Sequence, residues 1–396
     1  MCHILIGMPM SFDSILDTLP RYRKRMAELS EIMLANLVMI AEIPAPTFSE
    51  ERRTGFVLDR MNEYQLLNCS TDEVGNGLGI LPGEVGDRNI LLVAHMDTVF
   101  PDGMDHMVTI EPGYVSGLGI GDNSLGVAAV VTLPLILKDL GIKLDSNLIV
   151  MGTSRSLGRG NIEGIRFFLD NMEIPISAGV CVEGVKLGRL SYSSIGMVRG
   201  EIRCEVPEEY DWSRFGAGGA IVNMSEVINR IFEIPLSRRP RSTIVLNSVE
   251  SGAGFNTIPT KGTIQFEARS ERGPMVHQLA ETIENIAAEV ASHTGAEITM
   301  EVVAQREPGG VEFSHPLAVG ARRVLNHLDI KPRIRPSTSE LSAFIDKGIP
   351  AVTLGLSTGE NLNEKGERIH IDPITTGLQQ LLGLILAVDK GYCDEN

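Results

Sequence analysis

The chain is short of several features that mark common protein classes. Its 396 residues include only five cysteines, Cys2, Cys69, Cys181, Cys204 and Cys393, odd in number, scattered, and without a Cys-x-x-Cys pair. This usage predicts reduced thiols in a cytoplasmic protein and gives no basis for a disulfide framework. Basic residues are also in deficit: 35 Lys and Arg stand against 51 Asp and Glu, a formal charge of −16. Nucleic acids and anionic membranes need a basic footprint, so neither is an expected partner. The opening Met1–Met10 is apolar but short, without a basic lead or a small-residue cleavage site, which argues against a signal peptide. No run reaches the length expected of a bilayer span. Internal repeats and low-complexity linkers are lacking as well.

What is present is an ordinary globular composition, 43% hydrophobic and 22% charged, in a chain too long for one core. Two domains are therefore expected. Residues 11–43 carry apolar side chains at helical spacing, among them Leu29, Ile32, Met33, Leu37 and Ile40, and the pattern stops at Pro44-Ala45-Pro46. Further on, strands, loops and helices alternate: a strand over 89–93, a helix over 127–140, a strand over 147–151, a helix over 162–170 and a strand over 179–182. That alternation predicts an α/β domain with a largely parallel sheet and helices on both faces. Near Arg199 the pattern changes to strands and two amphipathic helices without crossover spacing, over 220–232 and 274–294. It returns to the α/β pattern near His315. The expected organisation is an α/β domain made of residues 1–198 and 309–396, with an α+β domain, 199–308, inserted as a lid or dimerisation unit.

The stretch Leu91-Leu92-Val93-Ala94-His95-Met96-Asp97 organises the first domain. Its apolar part is nearly continuous, as in a strand buried on both faces. Side chains alternate along a strand, so His95 and Asp97 leave its end on the same side, where open α/β sheets keep their sites. His95 is a candidate metal ligand oriented by Asp97; the alternative is a histidine satisfied by a neighbouring carboxylate. Asp122 stands in the glycine-rich stretch Gly117–Gly126, where loop becomes helix, and it is either a site carboxylate or a helix N-cap.

These pieces, in this order, resemble the M20 metallopeptidase family of carboxypeptidases, aminoacylases and deacylases. The resemblance is carried by His95-Met96-Asp97-Thr98, Gly119-Ile120-Gly121-Asp122-Asn123, Thr153 with Gly158, and Glu183-Gly184 with Gly188-Arg189. Trp212–Gly216, Asn256–Pro259 with Arg269, and Gly348–Val352 add to it. It implies a dinuclear zinc site in which His95 binds one metal, Asp122 bridges both and Glu183 completes the first site. His370 stands in the place of a late histidine that helps bind the second. It also implies that Asn256 and Arg269 face a substrate cleft, that the substrate is a small peptide or an N-acyl amino acid, and that the chain forms a homodimer through the inserted domain.

The departures from the family pattern are equally specific. The resemblance implies two consecutive glutamates after Thr153, a general base and a second-metal ligand, but Arg155 and Ser156 hold those places. Arginine cannot act as a base at neutral pH, and a neutral serine is a poor ligand. Tyr210 stands where the family has a histidine that stabilises the oxyanion. Loss of a general base alone costs about 10²–10⁴-fold in rate, and of an oxyanion donor about 10²–10³-fold. The expectation is one zinc ion in preference to two, with manganese or cobalt as alternatives and a metal-free polar pocket as the contrasting case. Hydrolysis is expected to be lost or strongly reduced, the alternative role being a non-catalytic binder of a peptide, an amino-acid derivative or a protein partner.

Overall fold

The structure is a computed structural model that describes residues 11–206, 218–255 and 257–395. It contains two compact units. One ends at Ser193 and resumes at Gly310; the other runs from Ser194 to Gly309. The inserted unit thus starts earlier than the expected residue 199. The strand Gly196–Glu205 pairs along its whole length with Lys261–Ser270, which ties its first residues to the inserted sheet.

The first unit is built on eight strands: β1 (Leu67–Thr71), β2 (Gly77–Leu81), β3 (Asn89–His95), β4 (Asn147–Thr153), β5 (Ala178–Val185), β6 (Arg189–Ser191), β7 (Arg333–Ile334) and β8 (Ala351–Ser357). Their order across the sheet is β1-β2-β4-β3-β5-β8-β6-β7. The central β4, β3, β5 and β8 run parallel, so their carboxyl ends share one edge. β3 is buried from end to end. Its alternate residues divide between two cores. Ile90, Leu92 and Ala94 pack with the helices Phe12–Ala41, Leu125–Asp139 and Ile374–Asp389, while Leu91 and Val93 pack with Ile165, Leu169, Leu341 and Phe344. Burial of each such Leu, Ile or Phe side chain stabilises the fold by about 1.5–3 kcal/mol, so both faces hold the strand in one register.

Two expectations need correction. In the helix Phe12–Ala41, Leu29, Met33, Leu37 and Ile40 are buried as their spacing predicts, but Ile32 faces outward and is 40% exposed. The stretch Ile120–Asp139, taken through its irregular first turn, is long and apolar enough to cross a bilayer by length and composition. It is 89% buried in the unit's interior, where it packs as a core helix under β3 and β5.

The second unit has an antiparallel sheet with strands Ser242–Ser251, Lys261–Ser270, Gly196–Glu205 and Glu297–Arg306 in that order. Helices Gly219–Glu233 and Gly273–Thr294 cover one face through Met224, Val227 and Ile283 packed on Ile202, Ile264 and Phe266. Tyr210 and Asn256 lie outside the described residues.

One close approach is decisive for the first unit. A Cβ at Gly377, in the helix Ile374–Asp389, would stand 2.1 Å from the carbonyl oxygen of Leu356 on β8. Gly377→Ala gains about 1 kcal/mol of helix propensity but forces helix and sheet apart, so a net loss of about 1–2 kcal/mol is expected in urea denaturation. An unchanged or higher midpoint would contradict this packing.

Candidate metal centre

His95 is the last residue of β3, and its imidazole is buried. Its Nε2 lies 3.0 Å from Oδ1 of Asp122. Its Nδ1 lies 3.1 Å from the main-chain carbonyl of Asp97 and 3.3 Å from the Asp97 carboxylate oxygen Oδ1. The other Asp97 oxygen accepts three hydrogen bonds, from the Thr47 hydroxyl (2.8 Å) and the main-chain N–H groups of Ser156 (3.0 Å) and Leu157 (2.8 Å). Asp97 is therefore fixed by the loop that follows β4, and it limits how the ring of His95 can turn.

Asp122 does not cap a helix. The following helix starts at Leu125, and Asp122 has extended backbone angles (φ −125°, ψ 85°) in an irregular turn. Two side chains hold that turn. Glu367 is completely buried, and one of its oxygens accepts the N–H groups of Gly121 (2.7 Å) and Asp122 (2.9 Å). The amide of Asn123 donates to the carbonyl of Val182 (2.9 Å) and accepts from the N–H of Gly184 (2.7 Å). Those two bonds bracket Glu183 on β5, so Asn123 sets the spacing between the Asp122 turn and the Glu183 carboxylate.

The result is a three-donor group. Ligand-type atoms of His95, Asp122 and Glu183 all lie within 4.8 Å of one another, and no further imidazole, thiol or carboxylate joins them among the described residues. Burial disfavours a charged His95, but the two aspartates outweigh it and hold the imidazole well above its usual pKa. Burial likewise pushes Asp122 up, yet its contact with His95 prevails and keeps it below the ordinary carboxylate range. Glu183 is raised by burial, with Arg189, 3.5 Å away, opposing the shift. One imidazole nitrogen and two carboxylate oxygens at this spacing fit the three protein ligands of a single zinc-type ion with an open position.

The other site candidates have partners of their own. His370 is not one of the three donors gathered within 4.8 Å of one another. It ends the strand Arg368–His370, which pairs with Tyr114–Ser116, and there it packs edge-on against Tyr114 at 4.7 Å with Glu360 at 3.6 Å. The residue of that segment that does reach Asp122 is Asn363, whose amide donates to Oδ2 at 3.0 Å. Glu367 anchors the 363–367 loop at the Asp122 turn, and His370 follows on the strand beyond it. Arg155 turns to Glu163 (3.1 Å) and over the ring of Phe48 (5.7 Å), while its main-chain N–H donates to Glu50. The Ser156 hydroxyl faces that of Thr153 at 3.2 Å. Arg269 belongs to the second unit, where it is paired with Glu267.

Glu367, Asn363 and Asn123 were not among the sequence candidates. Asn123 stands beside Asp122 in the quoted motif, but nothing in its spacing reveals that it bonds to β5. Asn363 and Glu367 lie in a polar loop with no hydrophobic period to fix their direction.

The architecture has solved counterparts. The Saccharomyces cerevisiae di-peptidase Dug1p superposes with a TM-score of 0.75 at 13% identity, over 96% of this chain and 99% of that one. Bacillus subtilis YXEP, a dinuclear metal-binding peptidase from the M20 family, gives 0.64 at 13% identity over 91% and 98%. The fold is therefore the two-unit fold of such peptidases. The family model of peptidase family M20/M25/M40 matches residues 91–387, and the chain belongs to this family. In sequence it is 29% identical over 150 residues to the uncharacterized protein YgeY of Escherichia coli (strain K12), a match spanning 36% of this chain and 34% of YgeY's length.

Burial raises the Glu367 carboxyl to about 7, against three main-chain hydrogen bonds that lower it. An acid raised on folding contributes stability below its unfolded value, near 4.5, and loses it as pH rises through the folded value. Chelator-treated protein should therefore lose stability between about pH 4.5 and 7 by up to one proton's linkage, and Glu367→Gln should flatten that slope. A slope unchanged in the variant would rule out Glu367 as its source.

Proposed function

We propose that the chain holds one divalent ion on His95, Asp122 and Glu183, and binds a peptide or N-acyl amino acid with two-metal hydrolysis lost or strongly reduced. When bound, such an ion supplies Lewis acidity toward a carbonyl or a water. Zinc suits the donor set, with manganese and cobalt as alternatives. Asp97 would keep the His95 ring oriented, and Asn123 and Glu367 would keep the two carboxylates in reach.

The observation that carries this reading is Asn363. Its amide occupies Asp122 Oδ2, the oxygen a bridging carboxylate needs for a second ion, and its side chain offers that ion only a neutral amide. Arg155 and Ser156 provide no carboxylate to compensate, and Glu163 is already engaged by Arg155. Family membership supports an amide ligand, while these three side chains argue against turnover by the usual route. With the base absent, hydrolysis should fall about 10²–10⁴-fold short of a complete site.

A screen of dipeptides and N-acyl amino acids with added zinc, manganese or cobalt tests this. The wild-type chain should show little or no turnover, and Arg155→Glu, Ser156→Glu and Asn363→His combined should raise it. Robust wild-type turnover would sink the proposal.

We further propose homodimerisation through the second unit, supported by the edge strand Ser242–Ser251 with Val245 and Val249 exposed. Light scattering should give twice the mass of one chain, and Val249→Lys should lower it; a monomeric wild type would refute the dimer.

A further inference from the structure

A cavity of about 340 Å³ opens beside the three-donor group in the first unit. Asp122 and Glu183 form part of its wall, and Lys186, Arg189, Arg333 and Arg335 form much of the rest. The walls thus carry two more positive charges than negative, in a chain whose net charge is −16. Among the described residues Arg189 pairs with Glu183 at 3.5 Å, and no ion pair engages Lys186, Arg333 or Arg335.

The sheet itself concentrates these cations. β7 runs parallel to β6 with Arg333 directly opposite Arg189, so the two guanidinium stems project from the same face of neighbouring strands. Arg335 follows two residues on, and Pro336 and Leu362 complete the wall. Like charges held opposite one another on adjacent strands are unfavourable unless an anion lies between them. A guanidinium pair is also the arrangement that grips carboxylates in bidentate fashion.

We propose that this cavity recognises an amide ligand bearing two carboxylates: an N-acyl acidic amino acid or a peptide ending in an acidic residue. The cationic wall holds the carboxylates, and the amide lies toward Asp122 and Glu183. This inference rests on the preceding one for the amide and adds the acidic class.

The test is calorimetric titration of the full chain, loaded with zinc, using N-acetylglutamate, N-acetylglutamine and inorganic phosphate. N-acetylglutamate should bind at least about ten-fold tighter than N-acetylglutamine, the scale of one charge-assisted contact. Arg333→Gln with Arg335→Gln should abolish that preference while leaving the thermal transition in place. If that variant fails to fold, Lys186→Gln, in the loop after β5, should reduce the preference instead. Equal affinity for the two amides, or a preference indifferent to these substitutions, would overturn the inference alone. Binding of phosphate as tight as that of N-acetylglutamate would also overturn it, marking a simple oxyanion site. Binding of none of the three would remove both the amide ligand and the acidic class. Rapid hydrolysis of N-acetylglutamate with the preference intact would instead refute the loss of activity and leave the acidic class standing.

Discussion

The position of Asp122 governs the site, and it is held from three directions. Glu367 takes the N–H groups of Gly121 and Asp122, Asn123 ties the same turn to the main chain on both sides of Glu183, and His95 meets the Asp122 carboxylate at 3.0 Å. The backbone there is neither helix nor strand, so it has no ladder of its own to fix it. Side-chain hydrogen bonds do that work, and a buried, charge-assisted bond is stronger than a neutral one. Arg53 extends the same logic behind β3. It is fully buried and donates to the carbonyls of Ile43 and Met96, which steadies the chain between His95 and Asp97.

Much of this was legible in the sequence, and the reasons differ by element. The unbroken apolar run before His95 predicts a strand covered on both faces, and Ile90, Leu92 and Leu91, Val93 divide between two cores as alternation requires. Likewise the change of pattern near Arg199 marked the inserted unit, although the strand starting at Gly196 draws its edge earlier. The 363–367 loop shows where such inference ends. That loop is polar, and its path is set by Glu367 binding N–H groups some 245 residues away in sequence. No local period encodes that contact, so Asn363 could not be distinguished from its neighbours. The cationic wall was illegible for the same reason: Arg189 and Arg333 become neighbours only when β6 and β7 pair.

The chemistry follows from which groups the loops present. The strands β3 and β5, fixed by the cores on both faces of the sheet, deliver the imidazole of His95 and the carboxylate of Glu183, while Asp122 comes from a turn that the 363–367 loop holds. The loop after β4 is spent on structure: its main chain holds Asp97, its arginine meets Glu163, and its serine meets Thr153. On the proposed reading, the scaffold keeps the three donors in place while the loop after β4 supplies no carboxylate to move protons.

The most direct test of one ion in place of two is anomalous diffraction at the zinc edge from crystals grown with excess zinc. A single peak within coordination distance of His95, Asp122 and Glu183, with Asn363 still on Asp122, is the predicted result. Two peaks about 3.5–4 Å apart, bridged by Asp122 as in two-metal hydrolases, would contradict the account.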